Sequence, residues 1–383
     1  MTERASALAE ALSMHEPEKL RWVRAPGRVN LIGDHTDYND GFVLPLAIDR
    51  DCLVGFAARD DERVRVRSRD IPEDCCVVDV DASGGDDPAG VEPAWGRFVA
   101  GAVRAVGALH SRGGARAAMD AAVSSSVPLG SGLSSSSALS VALTLALSSV
   151  AGLRLDAREV ARAALDAEVR ATRVPGGLMD QLTAMFGQRG HALLIDCRAL
   201  DVEPIPLPDP YAVLVVNSGI ARTLAGSAYG ERRRECEVVA ARLGLPALRD
   251  ATLDQVRDEP RARHVVSENR RVLQFAEALR AGDFDKLGPL LLASHASLRD
   301  DYEVSMPELD LAVELLVEHG AIGARLTGAG FGGCVVALIE RRRAGDAAAR
   351  TVARYRAETG LDAVAFVVEA VDGAAPVESP LAI

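Results

Sequence analysis

The sequence predicts an α+β protein folded as two lobes with a cleft between them. A chain of 383 residues, 48% of them hydrophobic, is long enough for two packed cores. Strand-like alternation marks parts of the first half, whereas helical periodicity dominates the second. No internal repeat and no Pro-rich or Gly/Ser linker separates the halves, so the lobes are expected to join closely near residues 180–215. The division assigned on this basis is 1–185 and 186–383.

The elements follow in order. An amphipathic helix is expected at residues 3–13, and strands at 54–66 and 76–80. Residues 81–90 read as a surface loop, 95–110 as a helix and 117–123 as a strand. The apolar run 138–153 is interrupted by serines and too short to span a membrane, so it predicts a buried helix, with Ser134 as its N-cap. Another helix over 156–170 is broken by Pro175 and two glycines, and helical spacing resumes over 178–186. Strands are expected at 192–195 and 211–216, then helices at 225–243, 263–280, 284–297 and 309–319. The stretch "ARLTGAGFGGCVVALIE" then gives strand, glycine loop, strand.

Composition excludes several functions. A formal net charge of -12 argues against nucleic acid or an anionic membrane as partner, since both demand a concentrated positive face. Lys19 and Lys286 are the only lysines and neither lies in a G-x-x-x-x-G-K-[ST] loop, which removes Schiff-base chemistry and P-loop nucleotide binding. The cysteines, at 52, 75, 76, 197, 236 and 334, form no C-x-x-C pair and no zinc pattern. Cys75 and Cys76 are read as ordinary thiols in a reducing interior. Glu3, Glu10, Glu16 and Glu18 leave no signal-peptide core near the start, and a cytoplasmic protein that is a monomer or weak dimer is expected.

Three glycine loops and a Pro-Gly-Gly turn carry the chemistry. In "APGRVNLIGDHTDYNDGFVLP" one turn gathers Arg28, Asp34, His35 and Asp37, although Asn39, Asp40 and Gly41 suffice to reverse the chain. A calcium loop starting at Asp37 is excluded, because Ile48 stands where the bidentate Glu is needed. In "PLGSGLSSSS" the residues Gly130, Ser131, Gly132, Leu133, Ser134, Ser135, Ser136 and Ser137 lead from a strand into a buried helix, an arrangement that turns free N–H groups toward an anion. Alone, such a loop is more often a flexible turn; the flanking strand and helix reverse that judgement. Ser135 or Ser136 can also reach a magnesium ion. A serine hydrolase is excluded, since G-x-S-x-G is absent. In "DAEVRATRVPGGLMDQLTAMFG" a Pro-Gly-Gly turn can fold Glu168 and Asp180 toward one cavity; equally open on these residues alone, and commoner for isolated acids, is a solvated Glu168 with Asp180 merely complementing the helix dipole. The last loop, Gly328 to Gly333, taken alone reads equally as a tight strand turn.

In this order the loops resemble the three motifs of the GHMP small-molecule kinases, and "GRVNLIGDHTDYNDG" resembles the galactokinase signature within that superfamily. "GHALLIDCRAL", "ERRRECE", "SHASLRDDYEVSMPELD" and "LTGAGFGGCVVALIE" also resemble galactokinase segments, so the similarity runs from Arg24 to at least Glu340. The resemblance implies an N-terminal lobe like the second domain of ribosomal protein S5 and a helix-rich, ferredoxin-like C-terminal lobe. It also implies transfer of the γ-phosphoryl group of Mg-ATP to the anomeric hydroxyl of α-D-galactose.

By the same resemblance, Asp34, His35, Asp37, Gly177 and Tyr229 form the sugar pocket, and Asp180 and Arg28 serve as base and charge stabiliser. Ser136 and Glu168 hold magnesium, residues 130–137 hold the triphosphate, and Trp95 lies near the adenine. Carboxylates and an imidazole suit a neutral sugar, because a misplaced hydroxyl leaves buried partners unpaired. The chain departs from the family in three places. Asp34 stands where Glu is usual, Ser227, Ala228 and Tyr229 replace S-E-Y, and "TRVPGGLMD" lacks a customary cysteine and asparagine. Alternatives are therefore a kinase of a related deoxy, amino, acidic or pentose sugar, and a catalytically silent sugar and ATP sensor.

Overall fold

The computed structural model describes residues 2–72, 76–109, 116–220 and 225–378. Helix α1 (Thr2–Ala11) is followed by strands β1 (Arg21–Asn30), β2 (Phe42–Val43), β3 (Pro45–Ala58), β4 (Arg63–Ser68) and β5 (Val77–Asp81), then helix α2 (Gly96–Gly107) and strand β6 (Met119–Ser125). The single strand expected over 54–66 is thus two. The Asp61 carboxylate accepts the Arg63 backbone N–H at 3.1 Å and reverses the chain between them. Helix α2 stops at Gly107; His110, the expected end, and Cys75 lie outside the described residues.

Helix α3 (Ser135–Ala151) is the buried helix read from the serine-interrupted apolar run, and Gly152 closes it at a φ of 70°. Helix α4 (Ala157–Thr172) begins at a reciprocal capping box between Asp156 and Glu159. Helix α5 (Met179–Phe186) follows the Pro-Gly-Gly turn. Strands β7 (His191–Asp196) and β8 (Asp201–Pro206) pair as a hairpin. Only Ile205 of β8 is buried, so no alternation marks that strand in the sequence.

Strand β9 (Tyr211–Asn217) opens the helix-rich half, with α6 (Ala225–Arg242), α7 (Pro260–Ala281), α8 (Leu287–Asp300), α9 (Pro307–Glu318), β10 (Ala321–Thr327), β11 (Cys334–Glu340), α10 (Ala344–Thr359), β12 (Val364–Val368) and β13 (Ala375–Val377). The helix expected over 284–297 starts instead as a 3₁₀ turn, Phe284–Lys286, that leads into α8.

Three sheets result, in the orders β13-β1-β3-β6-β4-β5, β10-β11-β9-β12 and β2-β7-β8. All their pairings are antiparallel except β4 with β6. Strand β13 crosses back to pair with β1, Val377 opposite Trp22. One core lies between the six-stranded sheet and helices α2 to α4, and a second among the four-stranded sheet and the later helices. A third joins both halves of the chain: Leu31, Ile32, Leu44 and Ile48 meet Val215, Phe275, Val336 and Leu338. This apolar junction removes from water the surfaces that would otherwise let the halves separate, and the site lies beside it. Among the described residues no helix is long and apolar enough to cross a membrane, and Cys52, Cys197 and Cys236 form no disulfide.

Candidate active site

Strand β1 ends at Asn30 and delivers the charged turn into a cradle made by one face of α7. Gly33 has a φ of 101°, and a Cβ there would lie 2.8 Å from the Phe42 carbonyl oxygen, so only glycine fits. The Gly33 N–H donates to Glu268 Oε1 at 2.9 Å, and the Phe42 N–H to Asn269 Oδ1 at 2.8 Å. His264 Nε2 lies 3.1 Å from the Asp34 carbonyl oxygen. Burial alone would raise the Glu268 carboxyl; Arg271, His264, Arg325 and Ser294 outweigh it and bring its pKa to about 2. With the turn's backbone satisfied from behind, Asp34, His35 and Asp37 line the cavity on the other side.

Asp34 is also the link to the third glycine loop. Arg325 donates to Asp34 Oδ2 at 2.5 Å, and the Gly328 N–H donates to Asp34 Oδ1 at 3.1 Å. The same guanidinium reaches the carbonyl oxygens of Asn30 and Leu31, each at 3.2 Å. Asp37 is half-buried beside Gly177, where a Cβ would come within 1.9 Å of Asp37 Oδ2. Burial, together with the negative charges of Asp180 and Asp34, raises the Asp37 pKa to about 7 against the pull of Arg28.

The second loop departs from the expected capping. Ser134 sits at the N-cap of α3 but in a left-handed conformation, φ 61°, and its side chain caps nothing. Its hydroxyl instead donates to Asp180 Oδ2 at 2.6 Å. The first N–H groups of α3 therefore lack the usual side-chain acceptor and remain suited to an anion. Gly130 and Gly132, at φ 67° and 84°, supply the turns that bring them there.

Asp180 is gripped from two sides. Arg28 donates through Nε to Oδ1 at 2.8 Å and through Nη2 to Oδ2 at 3.0 Å. The remaining Arg28 nitrogen, Nη1, donates to the Gly132 carbonyl oxygen at 2.6 Å, so one guanidinium ties the second glycine loop to the carboxylate. Next to this pair, Ser136 and Ser137 donate to the two Glu168 oxygens at 2.6 and 2.8 Å, and Gln181 donates to Oε2 at 2.8 Å. Glu168 has no cationic partner among the described residues, and burial raises its pKa.

These groups surround one cavity of about 310 Å³, a size suited to a small ligand. Arg28, Asp34, His35, Asp37, Ser137, Glu168, Gly177, Asp180 and Tyr229 all line it. Gly132, Ser134 and Ser136 adjoin it through the hydrogen bonds just given, and Gly130, Ser131, Leu133 and Ser135 complete the loop. Trp95 is elsewhere: it precedes α2, packs on the first core and is not among the lining residues.

A model of the galactokinase galactose-binding signature matches residues 12–58, and the GHMP kinase N-terminal and C-terminal models match 97–188 and 275–357. A galactokinase of Roseiflexus sp. (strain RS-1) is 46% identical over 368 residues, covering 92% of this chain and 91% of that protein. The chain belongs to the galactokinase family. A galactokinase of Lactococcus lactis, solved in complex with galactose, superposes with a TM-score of 0.90 at 29% identity over 97% of this chain and 99% of that one. Mevalonate kinase of Methanococcus jannaschii shares the GHMP fold alone, with a TM-score of 0.66 at 17% identity over 92% of this chain and 98% of that one.

Within the galactokinase family fold, the sequence reading missed the residues that act from behind. His264, Glu268 and Asn269 hold the charged turn; Arg325 holds Asp34; Gln181 holds Glu168. Helical spacing on α7 was legible, but a buried His and Glu on one apolar face give no sign of what they touch. Gln181, adjacent to Asp180, was the nearest to a readable signal.

Proposed function

We propose that this chain transfers the γ-phosphoryl group of ATP to the anomeric hydroxyl of α-D-galactose, giving galactose 1-phosphate and ADP. The observation that carries the reading is the bidentate Arg28–Asp180 pair, set in the same cavity as Asp34, His35 and Asp37. A hexose held by those three side chains puts a hydroxyl where a carboxylate can orient it and a guanidinium can meet the transferred phosphoryl charge.

In a loose phosphoryl-transfer transition state the nucleophile needs little activation. Asp180 therefore acts chiefly by orienting the hydroxyl and accepting its proton late, while Arg28 balances charge on the phosphoryl oxygens. Loop residues 130–137 present N–H groups at the start of α3 to the triphosphate. Ser136 and Glu168 fit a magnesium ion: their donors are oxygens, and a buried carboxylate without a cationic neighbour is stabilised by added positive charge. That ion, bound with the nucleotide, would neutralise charge across the β- and γ-phosphates. Trp95 as an adenine contact rests on the family alone; its substitution would raise the KM for ATP and spare that for the sugar.

The experiment is ADP release from Mg-ATP with galactose, galactosamine, N-acetylgalactosamine, 2-deoxygalactose, glucose and arabinose. Galactose as the best acceptor supports the reading. A better related sugar would retain the kinase and correct the substrate; tight sugar binding with no turnover would favour a sensor.

A further inference from the structure

Ser134 combines a strained backbone with a hydroxyl that does not serve its own helix. Its φ of 61° and ψ of 42° lie in the left-handed region, which disfavours any residue with a Cβ. Gly132 and Gly130 meet the same demand two and four residues earlier without strain, yet position 134 is a serine. The conformation is imposed from both sides. The Arg28 N–H donates to the Leu133 carbonyl oxygen at 3.1 Å, and the Ser134 carbonyl oxygen accepts the Ala138 N–H at 2.9 Å as α3 begins. Strain of this kind persists where the surroundings over-determine it, and it gathers at functional sites.

What the strained backbone achieves is the 2.6 Å hydrogen bond from Ser134 Oγ to Asp180 Oδ2. The direction of that bond is fixed. A guanidinium has only donors, so the Asp180 carboxylate that faces Arg28 through both oxygens accepts, and the serine hydroxyl beside them donates. Ser137 Oγ lies farther from Oδ2, at 3.4 Å, and its closer acceptor is Glu168 Oε2 at 2.8 Å.

We propose that Ser134 is a positioning residue for the chemical step, its side chain fixing the Asp180 carboxylate against the acceptor hydroxyl rather than holding the triphosphate. The inference rests on the kinase reading for the role of Asp180, but not for the geometry. Arg28 alone does not define the place of the carboxylate, because a guanidinium at the end of a long side chain can follow a carboxylate that shifts. Ser134 Oγ is two bonds from a backbone pinned on both sides, whereas Asp180 rises from the short helix α5 behind a Pro-Gly-Gly turn. The serine is 8% exposed, so water has little access to take the place of its hydroxyl.

The test compares Ser134→Ala and Ser134→Gly with the wild type in single-turnover rate at saturating Mg-ATP and sugar, in KM for ATP and in Tm. Both variants remove the hydroxyl, but glycine suits a φ of 61° and alanine does not, so Ser134→Gly should melt at the higher temperature. Both should nevertheless lower the single-turnover rate about 10- to 100-fold, the range for a lost hydrogen bond to a charged group, with the KM for ATP unchanged. In an Asp180→Asn background Ser134→Ala should add little further loss, because the serine acts through that carboxylate. A rate kept in both variants, a rate kept in Ser134→Gly but lost in Ser134→Ala, or a raised KM for ATP with the rate intact would overturn the proposal. Losses that multiply with Asp180→Asn would do the same. A wild type that turns over no sugar would reject the kinase reading and this role together, whereas normal wild-type turnover beside any of the contrary results would reject the role of Ser134 alone.

Discussion

Asp34 and Arg325 form an ion pair with side-chain exposures of 2% and 0%, and it joins the charged turn after β1 to the glycine loop some 290 residues later. Removing one partner strands the other charge away from water. Arg325→Met is therefore expected to lower stability by about 3–5 kcal/mol, the range for a broken buried pair. Urea denaturation measures it, and a loss under about 1 kcal/mol would show that Asp34 finds another partner.

The Asp180 oxygens accept from Arg28 at both positions and from Ser134 at one. Asp180→Asn places an amide donor against two donors. A fall in kcat of about 10²–10⁴, the size of a lost general base, is expected. Calorimetric titration with ATP should still show binding; its disappearance would mean that Asp180 serves the nucleotide loop instead.

Gly177 has no room for a methyl group, given the 1.9 Å approach of its hypothetical Cβ to Asp37 Oδ2. Gly177→Ala must push Asp37 aside, an overpacking cost of about 1–3 kcal/mol. If Asp37 reads the sugar, that strain appears as a higher KM for galactose, with the KM for ATP retained. Equal rises in both would assign the glycine to folding.

With its pKa near 7, the Asp37 carboxyl is protonated below that pH and a full acceptor above it. The value of kcat/KM for galactose should rise from pH 6 to 8 with a midpoint near 7. Asp37→Asn should abolish this step; a step that survives belongs to another group.

Acid stability is set by opposed groups, in the cradle of α7 and at Asp37. The His264 pKa is lowered to about 4 by burial, so its neutral form stabilises the fold above the ordinary value of 6.5 and that contribution is lost as pH falls toward 4. Glu268, lowered to about 2, gives stability present above 4.5 and lost on further acidification. Asp37 runs the opposite way: its raised pKa favours the fold below 3.8 and that contribution fades as pH climbs to 7. The Asp37 gain opposes the His264 loss between pH 7 and 4, so thermal unfolding should show little net change in Tm there, whereas His264→Gln, which removes only the loss, should make Tm rise as pH falls.

The sequence by itself determined the element types, the buried helix α3 and the three glycine stretches. Periodicity, turn residues and the free N–H groups of a helix start are local properties, carried by neighbours in the chain. That locality also explains the misses. The turn at Asp61 is made by one side-chain hydrogen bond that alternation cannot reveal, and β8 exposes most of its residues and so has no pattern. Only the tertiary structure decided that Ser134 would serve Asp180 rather than its own helix, that Arg325 would close on Asp34, and that one face of α7 would hold the charged turn. Those contacts join positions tens to hundreds of residues apart, and a buried polar side chain takes its partner from whatever the packed elements bring within hydrogen-bond reach.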